Sequence, residues 1–233
     1  MKFEIKEEIF ERFPELNVGV LVVQDINNQG KDKEVLQLIQ NRESEIRTNF
    51  KKEELPNESK IKVWREAYSS FGAKPKKYRC SVENLYRMIL DGIELKPINQ
   101  IVDIYNYVSI NHIIPIGGDD IDKIDGDIVL QFADGTENFT ELNSNEIKHP
   151  KEGEVIYRDN KEVLCRRWNW RECDKSKMTP ETKNVILVVE GLPPFTKKDI
   201  NNILEEFKNL VKKYCGGQIK SIILDKANRE VEI

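Results

Sequence analysis

The pattern of apolar and polar positions along the chain predicts a mixture of helices and short strands. Five segments repeat apolar residues at the three- and four-residue spacing of a buried helix face, and six short runs are rich in Val, Ile and Leu, which is typical of strands. The predicted helices span residues 33–49, 61–71, 82–90, 100–110 and 197–214. The predicted strands span residues 18–23, 128–132, 155–157, 163–167, 185–189 and 219–224.

The order of these elements favours an α+β fold with a mainly antiparallel sheet. Helices and strands do not alternate strictly, as they would in a doubly wound parallel sheet. Turn-forming residues separate the apolar runs in the middle of the chain, at Gly117-Gly118, Asp125-Gly126 and Asp134-Gly135. No internal repeat or long linker divides the sequence. We therefore expect one domain over residues 1–233.

The last predicted helix has the clearest pattern. Thr196 is a plausible N-cap and Gly216 follows the end of the helix. Its apolar positions fall on one helical stripe: Ile200, Ile203, Leu204, Phe207, Leu210, Val211 and Tyr214. We interpret this stripe as part of the core and not as a cofactor site.

The charge of the chain excludes a protein that coats nucleic acid over a broad basic surface. There are 37 Lys and Arg residues against 41 Asp and Glu residues, which gives a net charge of −4. Any contact with RNA would therefore be local. The basic run at residues 74–79 is the best candidate for such a contact, and a solvated surface segment is the alternative.

The sequence predicts no metal site and no cofactor. The four cysteines at positions 80, 165, 173 and 215 form no close pair, and there are only two histidines. We find no phosphate-binding loop, nucleophile elbow or dinucleotide-binding motif. The N-terminus lacks the apolar core of a signal peptide, and no run of residues approaches the length of a membrane span. A cytoplasmic protein with reduced thiols and no membrane contact is expected.

The densest cluster of candidate binding residues is Arg-Arg-Trp-Asn-Trp-Arg at residues 166–171. Arginine offers a planar fork for phosphate or carboxylate, and tryptophan offers a face for a cation or an aromatic ring. If the preceding strand continues through this run, alternation puts Arg167, Asn169 and Arg171 on one face. The other face then carries Arg166, Trp168 and Trp170. The alternative is a structural strand whose arginines lie over the tryptophans and end in salt bridges.

A second cluster lies between residues 96 and 124. On a helix, Asp103, Asn106 and Tyr107 share one face, and Asn99 lies near its N-cap. Asn106 interrupts an apolar turn, and a half-buried amide needs hydrogen-bond partners. The Gly117-Gly118 pair allows close approach of a ligand and can present backbone N–H groups to an anion, with a tight turn as the alternative.

Taken together, the order of these motifs resembles the B3/4 domain, the editing module of the phenylalanyl-tRNA synthetase beta chain. The resemblance covers roughly residues 61–189, with residues 1–60 and 190–233 as peripheral elements. Trp64, Arg79-Cys80-Ser81 and the run at 166–171 resemble features of a free-standing form of this module. The motifs that carry the resemblance are residues 97–99, 102–108, 115–124, 155–157 and 179–185.

The resemblance implies an RNA-binding protein that acts on the tRNA acceptor end or an aminoacyl-adenosine. It implies hydrolysis of a mischarged aminoacyl-tRNA ester, without ligase activity. In this scheme Asn106 orients a water or the substrate carbonyl, and Glu172 recognises a polar group of the substrate. Arg167 and Arg171 face the adenosine or phosphate end. The remaining candidate site residues are Gly117 and Gly118, as oxyanion donors, and Tyr107, Asp119, Trp168 and Asn169, as substrate contacts.

Two departures from the family pattern leave alternatives open. The family has a Pro-Leu-His turn where this chain has Pro115-Ile116-Gly117, and His112 lies five residues upstream. The residues before Glu172 are bulky where the family has small ones. The alternative to a deacylase is a non-catalytic module that binds an amino acid, an aminoacyl-adenosine or another small ligand. The sequence does not determine the oligomeric state. In each case, three segments around Asn106, Gly117 and residues 166–172 are expected to enclose one cavity that admits an amino acid attached to a sugar.

Overall fold

Six α-helices and twelve β-strands form the computed structural model, which describes all residues from 1 to 233. The helices are α1 (Glu7–Arg12), α2 (Lys33–Asn49), α3 (Ser59–Ser70), α4 (Ser81–Leu90), α5 (Gln100–His112) and α6 (Lys197–Tyr214). The first seven strands are β1 (Lys2–Ile5), β2 (Asn17–Gln24), β3 (Ile116–Asp120), β4 (Ile128–Phe132), β5 (Phe139–Thr140), β6 (Ile147–Lys148) and β7 (Val155–Arg158). The remaining strands are β8 (Val163–Arg166), β9 (Arg171–Glu172), β10 (Val185–Gly191), β11 (Gln218–Leu224) and β12 (Glu230–Glu232).

The strands form two main sheets and one two-stranded ribbon. Sheet A has the order β12-β1-β4-β7-β8-β9, and sheet B has the order β11-β2-β10-β3. Strands β5 and β6 pair with each other. Only the β1–β4 pair is parallel, and every other pair of strands is antiparallel. The predicted α+β class with a mainly antiparallel sheet is therefore confirmed.

Sheet B is covered by α6 on one face and by sheet A on the other. A Cβ atom added to Gly19 of β2 would lie 2.8 Å from a methyl group of Leu204 in α6, so the helix packs directly on the strand backbone. On the opposite face, Ile186 and Val188 of β10 line a small cavity together with Phe3 of β1 in sheet A. The two main sheets thus pack face to face around this cavity.

Helix caps account for the sharp boundaries of two helices. The Thr196 side chain accepts a hydrogen bond from the Asp199 N–H, and Asp199 accepts one in return from the Thr196 N–H, which completes a capping box on α6. The Asn99 side chain accepts a hydrogen bond from the Val102 N–H at the start of α5. The capping interpretation of both residues is confirmed.

All four cysteines are buried and unpaired. None of the helices combines the length and the apolarity that a bilayer span requires.

Candidate functional site

The run at residues 166–171 forms a turn and not a continuous strand. Strand β8 ends at Arg166, and the backbone is left-handed at Arg167 (φ 47°) and Trp168 (φ 66°). A hydrogen bond of 3.1 Å from the Trp170 N–H to the Arg166 carbonyl closes the turn. Two successive left-handed residues reverse the chain direction, so the predicted alternation of faces over residues 166–171 is wrong.

A buried carboxylate stabilises this turn by pairing with two of its arginines. Glu154 is 3% exposed and accepts hydrogen bonds of 2.9 and 3.0 Å from Nη2 of Arg166. Nη2 of Arg167 lies 2.9 Å from Oε1 of the same carboxylate. Both guanidinium groups are buried against Glu154, so Arg167 contacts this carboxylate and not an open cavity.

Aromatic rings pack on both sides of the turn. Trp168 is fully buried, with its ring centroid 4.9 Å from that of Trp64 in edge-to-face contact. The Arg167 guanidinium lies 3.8 Å from the ring centroid of Tyr78 and 4.5 Å from that of Trp170. The structural alternative, in which arginines lie over aromatic rings and end in salt bridges, therefore describes these contacts. Trp168 packs in the core and also forms one wall of the cavity.

Arg171 differs from the other two arginines because its side chain is 52% exposed. It lies 3.3 Å from Glu141, also partly exposed, and 5.2 Å from the ring centroid of Trp170. Of the three arginines in the run, it is the one that solvent or a bound phosphate can reach.

The turn carries Asn169 into a buried hydrogen-bond network. Its Nδ2 atom donates to Oε2 of Glu190 at 2.7 Å, and its Oδ1 atom accepts from the Tyr68 hydroxyl at 2.8 Å. The Tyr157 hydroxyl donates to Oε1 of Glu190 at 2.6 Å. Glu190 is 1% exposed and lies in β10. Glu190 and Tyr157 were not predicted as site residues from the sequence. A single acid directly after five apolar strand residues is a signal that could have identified Glu190.

The network forms one side of a cavity of about 20 Å³ between sheets A and B. The lining residues include Gly117, Asp119, Trp168, Asn169, Glu172 and Glu190. A space of this size holds about one water molecule. The expected cavity for an amino acid attached to a sugar is therefore absent, because the Trp168 indole and the Asn169 network fill that space.

Three carboxyl groups line the cavity, and their pKa values are all raised. Burial raises the pKa of Glu190 to about 7 and that of Asp119 to about 6. Burial, with the charges of Asp119 and Glu190, raises the pKa of Glu172 well above its ordinary value. Asp119 and Glu172 are half-buried, whereas Glu190 is enclosed. The cavity thus holds three acids whose protonated forms are favoured by burial, and two of them are accessible from outside.

Gly117 and Gly118 lie within β3, where they pair with Val188 and Leu187 of β10. The prediction of a glycine turn is therefore wrong. Successive N–H groups of a strand point to opposite edges, so these two N–H groups cannot converge on one oxyanion. The chemical environment of the two glycines also differs. A Cβ at Gly117 would lie 3.0 Å from Oε1 of Glu172, whereas a Cβ at Gly118 would lie 2.4 Å from the Ile186 carbonyl oxygen.

This difference predicts losses of stability of different size for two alanine substitutions. Gly118→Ala forces a backbone carbonyl to move, so we expect a loss of about 1–3 kcal/mol of unfolding free energy. Gly117→Ala meets only the end of a flexible side chain, so we expect a loss of less than about 1 kcal/mol. Urea unfolding of both variants checks this, and an equal loss in the two variants would contradict the packing described for β3.

Residues 105–107 of α5 are half-buried, and none of them lines the cavity. Burial and the charges of Glu172 and Asp119 raise the pKa of Tyr105. The pKa of Tyr107 is raised by burial and by the charge of Glu206 in α6. Asn106 is half-buried and is not among the residues that line the cavity. Two of the three expected segments therefore meet at the cavity, and the third, in α5, does not contribute to its lining.

His112 does not replace the histidine missing at position 117. It ends α5, and its Nε2 atom lies 2.8 Å from Oε2 of Glu206 in α6. Together with Lys60, it lines a separate pocket near the start of α6.

The fold and these motifs agree with a known class of domain. The family model described as the B3/4 domain matches residues 63–216, more than half of the sequence, and the chain belongs to this family. The chain is 25% identical over 155 residues to the phenylalanine–tRNA ligase beta subunit of Fusobacterium nucleatum subsp. nucleatum. That alignment covers 57% of this chain and 19% of the relative, so the chain matches about a fifth of the relative's length.

A solved structure is also similar to the chain. It is an N-terminal fragment of the phenylalanyl-tRNA synthetase beta subunit from Pyrococcus horikoshii, with 15% sequence identity and a TM-score of 0.47. The likeness covers 95% of this chain and 53% of that chain.

Proposed function

We propose that this chain binds the aminoacylated acceptor end of a tRNA and hydrolyses the ester of a wrongly attached amino acid. Membership of the B3/4 family and the similarity to a phenylalanine–tRNA ligase beta subunit support an association with tRNA. The observation that carries the hydrolytic part is the cavity of about 20 Å³ lined by Asp119, Glu172 and Glu190. This cavity has the size of one water molecule, and the surrounding carboxyl groups can take up a proton from that water.

The surroundings of the two accessible acids assign them different roles. At pH 7, Asp119, with a pKa of about 6, is mostly ionised. Burial and the charge of Asp119 raise the pKa of Glu172 well above its ordinary value, which favours its protonated form. Neighbouring carboxyl groups whose environments separate their pKa values are suited to act as a base and an acid.

The proposed reaction uses water as the nucleophile and requires the Trp168 wall to move, because a cavity of about 20 Å³ does not admit an aminoacyl group. Asp119 accepts a proton from the cavity water as the water oxygen attacks the ester carbonyl carbon. Glu172 donates a hydrogen bond to the carbonyl oxygen as negative charge develops on it. The bond to the ribose oxygen then breaks, and the proton held by Asp119 passes to that oxygen. The products are a free amino acid and a tRNA with a free terminal hydroxyl.

Charge near the cavity limits how the tRNA is held. Arg171 is exposed and directly precedes Glu172, so it is the best-placed contact for a terminal phosphate. The net charge of −4 provides no broad basic surface. We therefore propose a contact restricted to the acceptor end, with Arg171 and the basic segment at residues 74–79 as its positive groups.

The second candidate is a module that binds an amino acid, aminoacyl-adenosine or acceptor end without turnover. The small volume of the cavity favours it, because an aminoacyl group cannot enter unless the Trp168 wall moves. In that case Glu172 and Arg171 would contact the ligand at the rim.

A panel of tRNAs, each charged with a wrong amino acid, separates the two candidates. We expect faster hydrolysis than in buffer for at least one of them. Asp119→Asn removes the proton acceptor and should lower the rate about 10²–10⁴-fold, whereas Glu172→Gln should lose less, because its amide can still donate a hydrogen bond. Glu181→Gln is the matched control, because Glu181 is an exposed glutamate outside the cavity lining.

The outcomes are distinguishable. Hydrolysis at the buffer rate for every tRNA would exclude the deacylase. If a non-hydrolysable aminoacyl-adenosine analogue still raises the melting temperature, the binding module remains, because a ligand that binds only the folded state stabilises it. The absence of both effects would exclude both candidates.

A further inference from the structure

A larger cavity lies outside the carboxylate site, where the start of α3, the end of α5 and the start of α6 meet. Its volume is about 360 Å³, and none of its lining residues belongs to the cavity between the two sheets. This volume lies within the usual range for small-molecule sites. Its lining includes Lys60, His112, Phe195, Asp199 and Asn202.

Lys60 supplies a positive charge that forms no ion pair within the chain, although the charges of Glu58 and Asp199 act on it. Its Nζ atom donates to the His112 carbonyl oxygen at 3.0 Å and lies 4.8 Å from the ring centroid of Phe195. No acidic oxygen lies within 4.0 Å of this atom. The ammonium group is also partly buried, which lowers its pKa from the ordinary value. A half-desolvated ammonium with unused N–H donors can gain a carboxylate partner from a ligand.

Hydrogen-bond acceptors on α6 and α5 line the same cavity. Oδ2 of Asp199 accepts hydrogen bonds from the Thr196 N–H and hydroxyl, and Oδ1 has no hydrogen-bond partner. The interactions with Thr196 lower the pKa of Asp199, so the group carries a negative charge. Lys60 and Asp199 influence each other's pKa without forming an ion pair. The opposite charges of Lys60 and Asp199 thus line one cavity and remain more than 4.0 Å apart.

The histidine in this cavity is held in a fixed orientation. Nε2 of His112 lies 2.8 Å from Oε2 of Glu206, and a carboxylate can only accept, so Nε2 carries the proton. Nδ1 has no hydrogen-bond partner in the chain and, in the neutral ring, is an acceptor. The remaining surface is apolar or aromatic, from Phe195 and Ile203.

We propose that this cavity binds a small zwitterion, namely a free α-amino acid. Its carboxylate would pair with Lys60, its ammonium group with Asp199 and Nδ1 of His112, and its side chain would lie against Phe195 and Ile203. A simple anion is a poorer fit because Asp199 and Glu206 would repel it, and a simple cation is a poorer fit because Lys60 would repel it. This site is independent of the carboxylate cavity, so either proposal can fail without the other.

Isothermal titration calorimetry with a panel of free L-amino acids tests this proposal. We expect saturable binding of at least one of them at millimolar concentration or below. The amide of that amino acid lacks the carboxylate and its N-acetyl derivative lacks the ammonium, and we expect each to bind at least roughly tenfold more weakly. These ligand changes test both charges without altering the fold.

A pair of lysine variants locates the binding. Lys60→Gln should weaken binding at least roughly tenfold, because it removes the charge that faces the carboxylate. Lys62→Gln should leave the affinity unchanged, because Lys62 is exposed and 3.8 Å from Glu66, outside this cavity. Circular dichroism melting confirms that both variants fold.

Three results would overturn the proposal: no saturable binding by any amino acid, equal binding of the amide or N-acetyl derivative, or equal weakening in Lys60→Gln and Lys62→Gln. Binding of inorganic phosphate as tight as that of the best amino acid would also overturn it, in favour of an anion site.

Discussion

Replacement of Glu154 by alanine is expected to lower the free energy of unfolding by about 3–5 kcal/mol. The carboxylate is buried between Arg166 and Arg167, whose side chains are only 8% and 6% exposed. Its removal leaves two guanidinium groups buried without a counter-ion, which costs more than the loss of an exposed ion pair. Equilibrium unfolding in urea measures the change.

Glu152→Ala is the matched control, because Glu152 is an exposed glutamate two residues earlier in the same segment. We expect a change within about 0.5 kcal/mol for this variant. If Glu154→Ala loses no more than the control, Glu154 does not hold the turn at residues 167–170. The position of Asn169 beside Glu190 would then need another explanation.

Replacement of Glu190 by glutamine is expected to change how stability depends on pH. The pKa of Glu190 is about 7 in the folded protein, above its ordinary value of 4.5, because burial disfavours the charged form. Between these two values the folded state binds more protons than the unfolded state, so stability falls as pH rises. The shift corresponds to a loss on the order of 3 kcal/mol between about pH 4.5 and pH 7.

Glutamine cannot ionise, so the unfolding free energy of Glu190→Gln should not show this fall as pH rises. Glutamine can also keep two hydrogen bonds, accepting one from Asn169 and donating one to the oxygen of Tyr157. Urea unfolding at several values between pH 5 and pH 8 makes the comparison. Asp119 and Glu172 remain in both proteins and contribute a common background. Parallel pH dependence of the wild-type protein and Glu190→Gln would show that Glu190 titrates normally.

Elements with a strong local signal were predicted well from the sequence. Helices α2 and α6 were predicted with the same bounds as in the structure, since each has a periodic apolar face, and a cap at Thr196 fixes the start of α6. Strand β4 was also predicted with its observed bounds. Short edge elements such as β1 and β12 were missed, because three or four alternating residues give no distinct pattern before their partners are known.

The candidate site was harder to predict because its geometry depends on tertiary contacts. The sequence predicts that the strand continues past Arg166, because left-handed backbone, which occurs at Arg167 and Trp168, is rare for residues other than glycine. Gly117-Gly118 has the composition of a turn, but Gly118 is required by the close approach of β10. The packing of Trp168 on Trp64, which narrows the cavity, is a tertiary contact that the sequence of the motif does not indicate.

The pH dependence of hydrolysis tests the central claim most directly, namely that the acids around the water-sized cavity perform the reaction. Single-turnover hydrolysis of a mischarged aminoacyl-tRNA should rise roughly tenfold per pH unit up to about pH 6, where Asp119 ionises, and then level off. At higher pH it should fall again as Glu172 loses its proton, and Glu172→Gln should lack that fall. A rate that follows the buffer-catalysed reaction at every pH, with the same profile in Glu172→Gln, would contradict the assignment of hydrolysis to this cavity.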